Sequence, residues 1–147
     1  MKGYSVVALD NPKNVINIGG VLRAAGCYRS ALVVIAGHRH IKIGKQPADT
    51  QRAYKHIPHV LVEDVFDALP YDCVPIAVEL VSGAIELPKY QHPERGFYIF
   101  GAEDQTLGKR ILSRCRDRVM IPTNYCMNLA ATVNVVLYDR MAKSLRL

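Results

Sequence analysis

Residues 4–36 read YSVVALDNPKNVINIGGVLRAAGCYRSALVVIA, and this stretch decides the fold class. Its two ends, residues 4–9 and 31–36, are short apolar runs rich in β-branched side chains, which is typical of buried strands. The segment between them carries apolar residues at helical spacing around residues 21–25. The stretch therefore predicts a βαβ unit with two parallel strands.

The same rhythm continues to the end of the chain. Apolar runs occur at residues 60–63, 74–79, 96–100 and 118–122. Helix-like segments follow the first, third and fourth of these runs, with the sequences EDVFDAL, TLGKRILSRC and MNLAATVNVVLYDRMAK. Strands without strict alternation that are linked by helices indicate an α/β fold, in which a parallel sheet carries helices on both faces.

The length and composition fit one folded unit. Since a domain has roughly 150 residues, we expect residues 1–147 to form a single domain. A content of 50% hydrophobic and 22% charged residues is typical of a packed globular protein. The region 37–58 is rich in glycine, proline and charge but has little apolar periodicity, so we predict a long active loop there.

Several classes of protein are disfavoured. No apolar run approaches the roughly 18 residues of a membrane span. The first residues, MKGYSVVALDNP, do not resemble a signal peptide, so we expect a cytoplasmic protein without membrane contact. The four cysteines are far apart and form no CxxC pair, which argues against a disulfide framework and a zinc ribbon. We expect no bound metal.

The positive charge is concentrated in one part of the chain. There are 19 basic and 13 acidic side chains, a formal net charge of +6, and the surplus falls between Arg23 and His59. A phosphate-rich partner is the simplest functional interpretation, while the alternative is a surplus that only keeps the protein soluble. The candidates for phosphate contacts are Arg39, Lys42, Lys45, Arg52 and Lys55.

In parallel α/β sheets, ligands bind beyond the carboxyl ends of the strands. Three segments occupy such positions: residues 10–26 after the first predicted strand, 101–107 after the fifth and 123–129 after the sixth. Each by itself is also explained by a turn and a helix cap. The first segment contains no GxGxxG, which disfavours a nucleotide-dependent oxidoreductase but leaves that alternative open.

Taken together and in this order, the three segments resemble the SpoU (TrmH-like) class of the SPOUT superfamily, which are S-adenosylmethionine (AdoMet)-dependent RNA ribose 2′-O-methyltransferases. The first motif of that class, Asn-x-Gly-x-x-x-Arg, is matched by Asn17, Gly19 and Arg23. The second, Gly-x-Glu followed by x-x-Gly-Leu, is matched by GAEDQTL (residues 101–107), although Thr106 takes the place of the usual glycine.

The third motif of the class is Ile-Pro, a loop, and then Ser-Leu-Asn at the start of a helix that ends near a Tyr-Glu pair. It is matched by IPTNYCMNL (residues 121–129) and by Tyr138 and Asp139, which close the helix. The loop is shorter than is common, and Cys126 replaces the serine. The resemblance covers nearly the whole chain.

The resemblance implies a fold and a cofactor. Members of the class have a parallel sheet, and the C-terminal third of their chain is threaded into a trefoil knot. AdoMet binds to this knot in a bent conformation, mainly through backbone groups. The implied cofactor contacts are Val78, Gly101, Ile121, Cys126, Met127, Asn128 and Leu129. Core packing explains Val78 and Ile121 equally well, and a small buried thiol explains Cys126, because this methyl transfer needs no covalent intermediate.

The implied reaction is displacement of a methyl group from a sulfonium by a ribose hydroxyl. That hydroxyl is a poor nucleophile near neutral pH, so a nearby cation must favour the developing alkoxide. We assign this role to Arg23 through electrostatics, since an arginine stays protonated. Asn17 would orient the ribose or Arg23, Glu103 would hold Arg23 or the loop, and Asn128 would fix the cofactor loop and the attacking oxygen.

The resemblance also implies partners. A chain without an added RNA-binding domain is similar to the minimal members that modify tRNA, including its wobble position. A ribosomal RNA target, a catalytically inactive RNA-binding paralogue and a base-nitrogen methyltransferase are the alternatives. We expect a homodimer that packs through the apolar face of residues 127–137 with Leu145 beyond it. A smaller cationic cluster is a second candidate RNA contact: Lys109, Arg110, Arg114, Arg116 and Arg118.

Overall fold

The computed structural model describes residues 2–39 and 52–145 and has an α/β architecture. Within these residues, seven parallel strands form one sheet: β1 (Tyr4–Asp10), β2 (Leu32–Ala36), β3 (His59–Val62), β4 (Val74–Val78), β5 (Ile85–Glu86), β6 (Arg95–Phe100) and β7 (Asp117–Met120). Their order across the sheet is β3-β2-β1-β6-β4-β7-β5. The α-helices are α1 (Val15–Cys27), α2 (Lys109–Leu112) and α3 (Leu129–Ser144). Three short 3₁₀ helices span Ala53–Lys55, Val65–Ala68 and Leu87–Lys89.

The predicted βαβ unit lies at the centre of the sheet. β1 pairs in parallel with β2 on one side, where Val6 faces Leu32, and with β6 on the other, where Val6 faces Phe97. Residues 6–9 are at most 1% exposed, because helices or loops cover both faces of the strand. This burial on both sides explains why the run is apolar without alternation.

The first face of the sheet is covered by α1 and α3, which pack against each other. α1 begins after Asn14, whose side chain accepts a hydrogen bond from the Ile16 amide at 2.9 Å, and it ends at Cys27 with Tyr28 as its C-cap. The two helices approach closely at Gly20, where an added Cβ atom would lie 2.8 Å from the Cβ of Ala130. Gly20, which directly follows Gly19 of the first motif, therefore permits a close contact between the two helices.

Helical segments on both faces confirm the predicted layering, but those on the second face are short. The stretch EDVFDAL forms only the 3₁₀ helix Val65–Ala68, and TLGKRILSRC forms only α2. Leu107 is buried just before α2, and after Leu112 the chain continues as a turn to Asp117, where β7 begins. Val65, Leu107 and Ile111 pack into the core on this face.

The strand β5 is missing from the sequence prediction. It has only two residues, which pair with Val119 and Met120 of β7, and so short an edge strand leaves no apolar run to detect. The order β4-β7-β5 is consistent with the threading that the resemblance implies, and the trefoil knot itself stays a prediction.

Among the described residues, no helix combines the length and apolar character that a membrane crossing requires.

Candidate active site

A cavity of about 460 Å³ opens where β4, β6 and β7 end. Its walls are formed by the segments that follow these three strands and by the start of α3: residues 78–80, 100–106, 120, 121, 123–127, 129 and 132. Its position agrees with the rule that ligands bind beyond the carboxyl ends of parallel strands. Its size falls in the range of sites for small molecules and cofactors.

Most of the predicted cofactor contacts lie in this cavity. Six of the seven line its wall: Val78, Gly101, Ile121, Cys126, Met127 and Leu129. The seventh, Asn128, is the N-cap of α3. Its Oδ1 accepts hydrogen bonds from the amides of Ala130 and Ala131 at 2.9 and 3.3 Å. Asn128 is therefore a helix cap as well as a motif residue.

Gly101 lies at a point of close backbone approach. A Cβ atom there would lie 3.1 Å from the carbonyl oxygen of Gln105 and 3.4 Å from a carboxylate oxygen of Glu79. The loop folds back because the Gln105 amide donates a hydrogen bond to the carbonyl of Ala102 at 3.3 Å. The absent side chain leaves the backbone of this turn open to the cavity.

Three of the four predicted catalytic residues are joined by hydrogen bonds. The Asn17 Nδ2 donates to Glu103 Oε1 at 2.8 Å, and the Asn17 Oδ1 accepts from the Asn128 Nδ2 at 2.8 Å. Glu103 also accepts from the amides of Lys13 and Asn14 at 2.9 and 3.4 Å. We call Glu103, Asn17 and Asn128 the amide relay. It fastens the starts of α1 and α3 to the loop after β6.

The hydrogen bonds determine the charge state of Glu103. Partial burial by itself raises the pKa of this carboxyl group, but the donors on Asn17, Lys13 and Asn14 outweigh burial and hold the pKa below its ordinary value. Glu103 is therefore an anion at neutral pH and acts as an acceptor. A carboxylate in this state orients Asn17 and is a poor general base.

The structure does not bring Arg23 to the amide relay. Its side chain is exposed on α1, and within the described residues it has no hydrogen bond or ion pair. Arg23 follows Asn17 by six residues, and at about 100° per residue the two side chains point roughly 120° apart around the helix. The guanidinium is thus free to meet a ligand that comes over the exposed side of α1.

The predicted phosphate contacts have different surroundings. The Arg39 Nη2 lies 3.2 Å from each carboxylate oxygen of Asp104, a residue of the cavity wall, so part of its charge is neutralised. Arg52 is exposed, and the Lys55 Nζ lies 5.9 Å from the centre of the Tyr54 ring. Lys42 and Lys45 lie outside the described residues.

The second cationic cluster is largely engaged within the fold. Arg110 pairs with Asp64, and the Arg116 Nη2 lies 2.9 Å from Asp117. The Arg114 guanidinium lies over the Phe66 ring at 3.9 Å, and the Arg118 Nη2 lies 3.4 Å from the Leu112 carbonyl.

Within residues 2–39 and 52–145 no cluster of potential metal ligands occurs. The four cysteines, all of which are described, are free.

Sequence reasoning missed Glu79, which lines the cavity directly after β4. Its Oε1 accepts from the Leu80 amide and its Oε2 accepts from the Leu107 amide, both at 3.0 Å. The signal was present, because the residue after a buried parallel strand is where a ligand contact is expected. No motif of the resembled class drew attention to it.

Comparison with known proteins gives a family and a set of similar folds. Residues 4–138 match the model of the SpoU rRNA methylase family. No curated protein sequence matches the chain. The structure of the SpoU methyltransferase AviRb from Streptomyces viridochromogenes is 19% identical, with a TM-score of 0.85, and its complex with AdoMet gives 0.84. The match covers 99% of this chain and 62% of AviRb, so the chain spans about three fifths of that protein.

Two further structures have a similar fold. The TrmH/SpoU tRNA modifying enzyme of A. aeolicus is 15% identical, with a TM-score of 0.84, and the match covers 99% of this chain and 79% of the enzyme. A structure described as giving insights into 2-OH methylation of C/U34 on tRNA is 20% identical, with a TM-score of 0.80. That match covers 99% of this chain and 93% of the other. At these identities the similarity shows a shared fold.

Proposed function

The chain belongs to the SpoU rRNA methylase family, and from this premise we propose that it transfers a methyl group from AdoMet to a ribose 2′-hydroxyl of RNA. The observation that carries the proposal is the amide relay, which joins all three motif segments beside a cavity of cofactor size. Three segments far apart in sequence are thus held in one arrangement, as a shared reaction centre requires.

The residues of the cavity fit AdoMet. Apolar side chains such as Val78, Ile121 and Leu129 suit its adenine, and the open backbone at Gly101 suits hydrogen bonds to its polar groups. The Glu103 carboxylate in the cavity wall is negatively charged and complements the positive charge of a sulfonium. When bound, AdoMet supplies an electrophilic methyl group.

The amide relay supplies orientation. Both polar atoms of the Asn17 amide are engaged, one by Glu103 and one by Asn128, so the side chain cannot rotate freely. We propose that this fixed group and Asn128 orient the target ribose at the cavity. Arg23, exposed and unpaired within the described residues, would hold a phosphate of the RNA and favour the alkoxide that develops as the hydroxyl attacks.

We propose tRNA as the substrate, and the cations Arg39, Lys42, Lys45, Arg52 and Lys55 as its phosphate contacts. The similar fold of a structure concerned with C/U34 of tRNA, matched over 99% of this chain, supports this choice. Ribosomal RNA is the second candidate, since the family description names it. With RNA as the substrate, we place the reaction in the cytoplasm.

We further propose that the active unit is a homodimer. Tyr138 and Leu145 are 56% and 75% exposed at the end of α3, so apolar surface is available there for a partner copy. The chain has a mass of 16.4 kDa, and light scattering at micromolar concentration should give twice this mass. A fully active monomer would contradict this part of the proposal.

Mapping of ribose methylation tests the proposed function. Total RNA from a strain that lacks the gene is compared with total RNA from the parent strain, and the purified protein is then added back with labelled AdoMet. We expect one 2′-O-methyl nucleoside of tRNA to disappear and to be restored by the protein. Loss of a ribosomal mark would select the second candidate, and a methylated base would refute ribose specificity.

A further inference from the structure

The Glu79 carboxylate lies inside the cavity and is unusually well fixed. Its own amide donates to the Val119 carbonyl at 2.9 Å, so the backbone is attached to β7. The side chain reaches across to the loop after β6, where Oε2 accepts from the Leu107 amide at 3.0 Å and lies 3.4 Å from the Cβ position of Gly101. The carboxylate therefore bridges the ends of two strands that form the cavity.

The acceptor capacity of this carboxylate is only partly used. An ionised carboxylate has about four acceptor positions. Two of them are occupied, one by the Leu80 amide on Oε1 and one by the Leu107 amide on Oε2. Within the part of the chain that the structure describes, no cation pairs with Glu79. Each oxygen can still accept from a ligand in the cavity.

The neighbours of Glu79 limit the kind of donor that fits. The flanking wall residues Val78 and Leu80 are apolar, and Leu80 is 67% exposed beside the carboxylate. Such a surface suits a flat apolar base with an adjacent group that offers two neutral donors. A vicinal diol places two hydroxyls side by side, which matches the two oxygens of one carboxylate. In dinucleotide-binding folds an acidic residue likewise accepts a hydrogen bond from a ribose hydroxyl.

We infer that Glu79 is a cofactor-binding residue whose carboxylate accepts hydrogen bonds from the two ribose hydroxyls of the adenosine part of AdoMet. This inference rests on the proposed function, because it assumes an adenosine cofactor in the cavity. It adds a side-chain contact to a site in which the motif residues offer mainly backbone groups. It also gives a reason for a carboxylate that pairs with no cation in the described structure.

Calorimetry with a pair of adenosine ligands tests the inference. The first ligand is 5′-methylthioadenosine, which has the ribose diol but neither a sulfonium nor an amino acid group, and the second is its 2′,3′-dideoxy form. We expect Glu79→Ala to bind methylthioadenosine on the order of ten- to a hundredfold more weakly than the parent, because hydrogen bonds to a charged group are lost. The dideoxy form should bind the parent and the variant alike.

A second variant and a control separate binding from folding. Glu79→Gln keeps the length of the side chain and can still accept from the Leu107 amide, so it should fold and show an intermediate loss specific to the diol. Glu86, the last residue of β5, pairs with Lys89 and does not line the cavity, so Glu86→Ala should bind both ligands like the parent. Thermal melting of each variant reports its folding.

The outcomes distinguish the inference from the proposed function. A parent protein that binds neither AdoMet nor methylthioadenosine would refute the proposed function. If the parent binds both, and both Glu79 variants lose the same affinity for the diol ligand and the dideoxy ligand, Glu79 only holds the loop after β6 in place. This result would overturn the inference. A loss for AdoMet much larger than for methylthioadenosine would assign the carboxylate to the sulfonium or the ammonium group, and would equally overturn the inference.

Discussion

Asn17 is the residue on which the proposed site depends most. Its amide donates to one motif residue and accepts from another, so a single side chain links α1, the loop after β6 and α3. The motif spacing predicted that residues 17, 103 and 128 belong to one site. It could not predict that they bond to one another, because 86 and 111 positions separate Asn17 from its two partners and the directions of side chains depend on packing.

Exchanging the donor and the acceptor of the hydrogen bond between Asn17 and Glu103, in two steps, tests the amide relay. Asn17→Asp keeps the shape of the side chain but sets a second carboxylate against Glu103, where the present donor and acceptor lie 2.8 Å apart. We expect single-turnover methyl transfer to fall on the order of a hundredfold, the typical cost of one misplaced group in a preorganised site. Adding Glu103→Gln restores a donor and an acceptor and should recover part of the rate. If the double variant is slower than Asn17→Asp, the two side chains do not act as a pair.

Arg23 separates a catalytic role from a structural one. Because the side chain is exposed and makes no hydrogen bond or ion pair within the described fold, Arg23→Ala should leave the melting temperature and AdoMet affinity unchanged. We expect single-turnover transfer to fall by on the order of a hundredfold or more, since one electrostatic partner of the transition state is lost. Arg23→Lys should rescue poorly because it lacks the planar fork. Transfer at the parental rate in Arg23→Ala would remove this residue from the mechanism.

Among the elements, α1 and α3 were the easiest to predict and the shorter segments were the hardest. Both long helices carry an apolar face that is buried against the sheet, with Val21 and Val133 fully enclosed, and this burial creates the periodic pattern. The helix-like stretch 106–115 yielded only the single turn of α2, and the Arg116 amide that follows donates to the Pro75 carbonyl beside the sheet instead of continuing a helix. Periodicity reports the face of an element and says little about its ends.

The close contact between α1 and α3 gives a test at this scale. An alanine in a helix is normally more stable than a glycine by about 1 kcal/mol. At Gly20, however, the new Cβ would lie 2.8 Å from that of Ala130, so the helices must separate and Asn128 moves away from Asn17. We expect Gly20→Ala to lower the free energy of unfolding by about 1–3 kcal/mol in urea titrations.

Gly26 is the matched control for this substitution. It lies in the same helix, and its added Cβ would be 3.6 Å from the nearest atom, Cδ1 of Ile57, which is an ordinary contact. Gly26→Ala should therefore be neutral or stabilising within about 1 kcal/mol. Equal unfolding free energies for the two variants would show that the helix contact at Gly20 is not tight.

A buried histidine connects the loop before β6 with α3. The His92 ring places Nδ1 2.7 Å from the Tyr98 hydroxyl and Nε2 2.8 Å from Asp139, and its side chain is 5% exposed. Burial lowers the pKa of His92 below the ordinary value of 6.5, with Lys143 and Arg140 acting in the same direction and Asp139 opposing them. The folded protein therefore holds this histidine neutral more strongly than the unfolded chain does.

The sign of this shift predicts the pH dependence of stability. As the pH falls below about 6.5, the unfolded chain gains a proton at this position that the folded protein resists, so stability is lost toward the lower folded pKa. The melting temperature of the parent should drop between about pH 7.5 and about pH 5.5. In His92→Gln the drop should be smaller, whereas His56→Gln, at an exposed position, should keep it. Equal slopes for His92→Gln and the parent would contradict the assignment.

In the whole molecule, the parallel sheet brings the candidate site residues together at the carboxyl ends of its strands. The ends of β4, β6 and β7 form the cavity, and the amide relay lies beside it, as the position of polar segments after strands predicted. The distribution of charge was harder to interpret from sequence. Arg39 was predicted to contact phosphate, but its pairing with Asp104 depends on a contact 65 residues away along the chain, which local patterns do not report.

The most direct test of the central claim uses an RNA that lacks one oxygen atom. Once the target nucleotide is mapped, two otherwise identical oligonucleotides are prepared, one with the native ribose and one with a 2′-deoxyribose at that nucleotide. Labelled methyl transfer from AdoMet is measured under single-turnover conditions, together with the affinity for each RNA. We predict transfer to the native oligonucleotide, none to the deoxy form and similar affinity for both. Methylation of the deoxy oligonucleotide would show that the methyl group goes to another atom and would contradict the proposed function.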